Sequence, residues 1–315
     1  MAAQYINFFT DFGFKKLFGT EVNKDLLIDF LNELLRGQEK PIRDLTYTNP
    51  ARLGSTEIDR KAIFDLYCVT EDGEKFIVEL QKAKQKFFKD RSLFYATFPI
   101  QEQAISGNDW NFELKAVYTV AILDFVFDED KDDPEKFHYV VKLADQETNR
   151  VFYDKLTFVY LEMPKFTKTE AQLVTHFDKW LYAIRNLGNL DHRPAALQER
   201  IFQKFFEKAK IANLAVEDRK SYEASLKYYR DLNNVIDTAR EEAAVQALQI
   251  GLQKGEEIGL EKGEQIGLEK GEQIGLEKGR EEGQHMGIRI AFDRLVASGV
   301  PELEARKMLG LLPPE

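Results

Sequence analysis

Between Asn23 and Arg36, apolar side chains fall at Leu26, Leu27, Phe30, Leu31 and Leu34, with Gly37 behind them. Steps of three and four put them on one face of an amphipathic helix that ends at the glycine. Ahead of it, Phe8, Phe9, Phe12, Phe14, Leu17 and Phe18 crowd around Asp11 in FFTDFGFKKLFG, which predicts a short helix or turn pressed into a core. The pattern then shortens. Residues 42–48, 61–69 and 75–82 read as strands, and Asp72-Gly73 between the last two predicts a tight hairpin. In residues 87–105, Phe88, Leu93, Phe94, Ala96, Phe98, Ile100 and Ala104 do not alternate, so a buried helix is expected, kinked at Pro99. Residues 114–127 (LKAVYTVAILDFVF) form an apolar run suited to a sheet centre. Residues 137–141 and 151–161 extend the same sheet.

From residue 170 the pattern is helical, over 170–186, 195–214 and 218–248, and no proline interrupts the interval between Pro194 and Pro301. A glycine then occupies every fourth position from Gly251 to Gly287, ten in all, in a unit written GLEKGEQI. Each glycine costs a helix about 0.8–1 kcal/mol relative to alanine. Four residues turn about 400°, so the stripe drifts by about 40° per step and winds around the axis. A weakly helical, adjustable spacer is expected, with oligomerisation as the alternative. Two short apolar-faced helices, 288–297 and 302–309, close the chain. The expected parts are therefore 1–165, 166–248, 249–287 and 288–315.

Composition narrows the classes. The chain is 43% hydrophobic and 12% aromatic with 24 Phe, which suits a folded globular protein. A single cysteine, Cys68, the lack of a charged-then-apolar leader and the absence of any apolar run of membrane-spanning length predict a soluble cytoplasmic protein with no membrane partner. The four histidines, His138, His176, His192 and His285, lack metal-ligand spacing, and no P-loop, dinucleotide fingerprint or nucleophile elbow is present. The net charge of −10 argues against a surface built throughout to coat nucleic acid, yet KAKQKFFKDR carries Lys82, Lys84, Lys86, Lys89 and Arg91 against one acid. That stretch is the expected seat of a phosphodiester backbone.

The chemistry lies just before it. Residues two apart on a strand share a face, so Glu79 and Gln81 in IVELQK point the same way. Asp65 in AIFDLYC lies on the preceding strand of the same hairpin, and the DG turn brings the two acids toward one end of the sheet. Two carboxylates with a backbone carbonyl, that of Leu80, and waters suit a hard divalent cation such as Mg2+, with Mn2+ as a substitute.

DFGFKKLFG, FDLYCVTEDGEKFIVELQK and RSLFYATFPIQEQ together resemble the PD-(D/E)XK nuclease family transposases, relatives of the recombination-promoting nucleases. The resemblance covers about residues 5–160, with looser similarity through the helices to the repeats. It implies an α/β fold with the mixed-sheet core of restriction endonucleases, a helical region and a Gly-rich tether. By position, Asp65 matches the first acid of the motif, Glu79 the second, and Gln81 the place where many such nucleases carry lysine. Glutamine can hold a water but brings no charge. Lys82 is expected to face away, which leaves Lys84 or a residue of the following helix to supply it. Asp11 is either a further carboxylate for the metal or a helix cap. Arg91 and Tyr95 share a helix face and either touch a phosphate or pair with Glu79.

The resulting expectation is a metal-dependent DNA endonuclease with Asp65, Glu79, Gln81 and Lys84 as catalytic residues. Its rival is a weak or inactive DNA-binding or interaction module assembled through its C-terminal repeats, with Gln81 and the acidic net charge in its favour. RNA as substrate and a homo-oligomer both stay open.

Overall fold

The structure is a computed structural model that describes residues 3–37, 40–48, 64–104 and 111–311. Two compact units divide the chain, Met1–Val235 and Ile236–Glu315. The first begins with helix α1 (Asp11–Phe18), capped by the Thr10 hydroxyl, which accepts the Gly13 N–H. A Cβ at Gly13 would lie 2.2 Å from the Asn7 carbonyl oxygen, so only glycine lets the chain pass there. Helix α2 (Lys24–Leu34) buries the five apolar residues its periodicity singles out.

Six strands follow: β1 (Leu45–Tyr47), β2 (Leu66–Thr70), β3 (Lys75–Gln81), β4 (Val117–Leu123), β5 (His138–Ala144) and β6 (Val151–Glu162). They form one mixed sheet in the order β1-β2-β3-β4-β6-β5. The β2–β3 pair is antiparallel around Gly73, whose φ of 84° is the left-handed conformation that favours glycine in such a turn. Helix α3 (Phe88–Gln101) carries the chain from β3 to β4, which pair in parallel, as do β4 and β6. Of the residues expected in the second strand, 61–63 lie outside the described residues, as does the end of the expected helix at 105.

One face of the sheet, lined by Phe76, Val78, Leu80, Tyr118, Val120 and Ile122, packs on α1, α2, α4 (His176–Asn186) and α5 (Arg200–Ala209) in a single core. Trp180 sits against Phe18, Phe30 and Phe202 there, and its Nε1–H donates to Asp29 at 2.7 Å. The first unit thus runs through residue 165, with helices from both sides of it in one core. On the other face α3 buries Phe88, Ser92, Ala96, Phe98 and Pro99. Contrary to the expectation of a helix buried on all sides, Phe87, Leu93 and Phe94 stand exposed, because α3 covers the sheet with one stripe only.

The third long helix begins at Val216, and residues 218–248, the glycine repeat and residues 288–297 all lie within the helix α6 (Val216–Ala297). Glu, Gln, Lys and Leu between the glycines are strong helix formers and no proline intervenes, so local preference survives the glycine penalty. In the first unit α6 is tied to the core by Tyr222, whose hydroxyl accepts the Asn7 N–H at 3.0 Å. In the second, a Cβ on any of the ten repeat glycines would meet nothing within 4 Å. A final helix, α7 (Glu302–Met308), follows Pro301. Among the described residues no helix is long and apolar enough to cross a membrane.

Deleting residues 259–266, one repeat unit, should leave unfolding of the first unit unchanged within about 0.5 kcal/mol, as expected for surface changes that touch no core. Replacing the ten glycines with alanine should raise helicity in circular dichroism. Differential scanning calorimetry of the deletion variant is the check, and loss of the main transition would mean that the repeat packs on the core.

Candidate active site

Strand β3 is buried on both faces, and its side chains divide by parity. Phe76, Val78 and Leu80 enter the large helical core, so Ile77, Glu79 and Gln81 face α3. Across the hairpin Leu66 pairs with Val78 and Tyr67 with Ile77. Asp65 lies at the bend just ahead of β2, one residue before the paired register begins, and its neighbour Phe64 packs on Tyr67, Tyr95 and Phe98. Asp65 is turned onto the strand edge, where its Oδ2 accepts the Leu80 N–H at 2.8 Å. N–H and C=O of one strand residue leave on the same side, so the Leu80 carbonyl shares that edge with Asp65.

Both acids are held away from water. Burial raises the Asp65 carboxyl above its usual range, opposed by the Leu80 N–H. Glu79 is 5% exposed, and burial pushes its carboxyl up to about 7, against the pull of Arg91 and with a further push from Asp65. Burial is the leading cause of both shifts. Among the described residues no group of three or more His, Cys, Asp or Glu is arranged to hold a metal ion. The fit to a cation therefore rests on an all-oxygen set of two carboxylates and a carbonyl, which suits Mg2+, an ion that keeps several of its waters.

Arg91 of α3 closes the site. Its Nη2 lies 3.6 Å from Glu79 Oε2 and donates to Gln81 Oε1 at 2.6 Å, while Nη1 reaches Gln85. Its Nε is buried without a partner. Gln81 donates its Nε2–H to the Ala83 carbonyl at 2.8 Å, so the amide is fixed from both ends. Arg91 thus lies within ion-pair distance of Glu79, one of the alternatives left open for it, and places its charge against the Gln81 amide from a helix ten positions on. A basic residue on the helix following the ExQ strand was the available signal, though spacing could not say which one.

The other candidates are elsewhere. Lys84 is drawn away to Asp128 in the turn after β4, and Lys89 lies 2.5 Å from Glu129 beside it. Lys86 lies over the Phe87 ring. Lys82 faces the opposite side, toward Tyr228, yet its charge is felt by Asp65. Asp11 does not cap α1, since Thr10 does; it is the first helical residue, paired with Lys15 at 3.0 Å, and acts on Asp65 only through its charge. Tyr95 lies beneath the Arg91 guanidinium and against Phe64.

Sequence reasoning missed Asp124, one residue past β4. Its N–H donates to the Gln81 carbonyl at 2.9 Å, and its carboxylate accepts the Tyr229 hydroxyl at 2.7 Å. By parity it belongs to the opposite face, in a polar cavity of about 340 Å3 that Asn7 and Arg185 also line. Its position inside an apolar run hid it.

No curated protein and no solved structure matches this chain. The profile of the PD-(D/E)XK nuclease family transposases matches residues 8–239, from the aromatic cluster before α1 to the part of α6 just beyond the first unit. That span is well over half of the chain, and the protein belongs to the PD-(D/E)XK nuclease family transposases.

Proposed function

We propose that the protein is a metal-dependent endonuclease of the recombination-promoting type that hydrolyses phosphodiester bonds in DNA. Asp65, Glu79 and the Leu80 carbonyl hold Mg2+ or Mn2+, Gln81 orients the attacking water, and Arg91 supplies the positive charge missing at position 81. The observation that carries this reading is the Arg91 contact to both Glu79 and Gln81, which rebuilds from a helix the charge that a strand lysine brings elsewhere. A bound divalent cation supplies Lewis-acid stabilisation of the phosphoryl oxygens and lowers the pKa of a water. Lys82, Lys84, Lys86 and Lys89 are the remaining phosphate contacts, and Lys84 stays a candidate catalytic group beside Arg91. We assign the protein to the cytoplasm.

A second reading, a DNA-binding module that does not cut, is favoured by the same cluster, because Arg91 and Gln81 satisfy one another without substrate. Plasmid nicking separates the two. Wild type with Mg2+ or Mn2+ should convert supercoiled plasmid to open circles, Glu79→Ala should lose at least about a hundredfold in rate, and Gln81→Lys should keep or raise it. Wild type inert on both DNA and RNA, with Gln81→Lys equally inert, would leave the non-cutting reading.

Glu79 also sets a pH dependence in metal-free protein. Its carboxyl is near 4.5 when unfolded and about 7 when folded, so the folded state holds the proton more tightly between those values. That stabilisation is complete below about pH 4.5 and lost as pH rises through about 7. Glu79→Gln should match wild type near pH 4.5 in EDTA and be more stable at pH 8, by on the order of 2–3 kcal/mol. Mg2+ added at pH 8 should raise the melting temperature of wild type and leave that of Glu79→Gln in place.

A further inference from the structure

The exposed stripe of α3 is unusual for this chain, whose phenylalanines are mostly buried. Phe87 is 64% exposed and Phe94 54%, and Leu93 stands beside them. Phe94 lies one turn after Arg91 on the same helix face, and Phe87 is the N-cap residue at which α3 starts, four positions before Arg91. Arg91 is the residue that reaches Glu79 and Gln81. The two rings therefore flank the arm leading into the site, about 10 Å apart along the axis, or about three nucleotide steps at 3.4 Å. Phe94 is held from behind by Phe98, with ring centroids 5.2 Å apart at 84°, and Lys86 lies 5.4 Å from the centre of the Phe87 ring.

We propose that this stripe of α3 is a stacking platform for unpaired bases, so that the substrate is a DNA strand whose bases are unstacked where it crosses the site, as in single-stranded or forked DNA. The proposal rests on the nuclease reading and narrows its substrate. Base pairs of a duplex offer only their edges in the grooves, and a phenyl ring gains little there. An unstacked strand offers base faces to the rings and phosphates to the lysines, the combination used to hold single strands. Charge complementarity selects this occupant: residues 82–91 carry five basic side chains against one acid, and Lys86 lies over the Phe87 ring itself.

The test uses the full chain in EDTA, which prevents cutting, with a fluorescein-labelled oligonucleotide presented single-stranded and as its duplex, and the same strand carrying 2-aminopurine. Wild type should bind the single strand at least tenfold more tightly than the duplex and quench 2-aminopurine. Phe87→Ala and Phe94→Ala should each weaken single-strand binding by about five- to a hundredfold, the double variant should lose the quenching, and Phe94→Trp should retain it. Duplex binding, circular dichroism and melting temperature should not move. Equal binding of duplex and single strand by wild type, or alanine variants that bind like wild type, would overturn the platform. So would a dimer, seen in ultracentrifugation, that the alanine variants dissociate while DNA binding stays the same. Duplex cutting by wild type in Mg2+ that survives both substitutions sinks the platform and leaves the nuclease. No binding and no cutting of any nucleic acid sinks both.

Discussion

A carboxylate in the middle of a strand buried on both faces must be neutral, paired or functional, and Glu79 occupies that position on β3. Burying a charge costs far more than a surface ion pair returns unless a partner and hydrogen bonds accompany it. Arg91 supplies the partner, at 3.6 Å, and its hydrogen bond to Gln81 fixes α3 against the sheet at its first turns. The rest follows from that contact. With β2 on one side and β4 on the other, β3 cannot shift register without turning Glu79 into the helical core.

Much of this was legible in the residues. The alternation of Val78 and Leu80 with Glu79 and Gln81 gives the two faces directly, and Asp72-Gly73 gives the hairpin that joins β2 to β3. Arg91 was visible as a basic residue on the following helix, but the crossover that brings α3 back over β3 is a tertiary fact, and spacing alone left Lys84 an equal candidate. Asp11 illustrates the reverse. It sits in cap-like sequence, yet Thr10 takes the Gly13 N–H, because Gly13 must pass close to the Asn7 carbonyl and that fixes where the helix begins. The exposure of Phe87 and Phe94 was hidden for a related reason: an apolar run without alternation does not say which stripe of its helix meets the sheet.

The glycine repeat shows the limit of adding up local penalties. Ten glycines predict a marginal helix, and the segment is helical nonetheless, since the residues between them favour helix and nothing offers the backbone another partner. Its cost remains as a susceptibility to local opening rather than as a broken element. Helicity in this stretch is therefore no sign of rigidity.

Charges around the site fall into two kinds, which explains how an acidic protein can hold a polyanion. Arg91 is committed, with its partners Glu79 and Gln81 buried or half-buried under α3. Lys84 and Lys89 are paired in solvent with Asp128 and Glu129, whose carboxyls those lysines and Lys131 hold below the usual range. Exposed pairs of this kind contribute little in water and are screened by salt. A strand of phosphates can take the place of the acids at small cost, while the arginine that organises the carboxylates stays where it is. The acids beyond β4 thus hold Lys84 and Lys89 in exchangeable pairs, and the net charge of −10 describes the molecule without describing the local surface around residues 82–91.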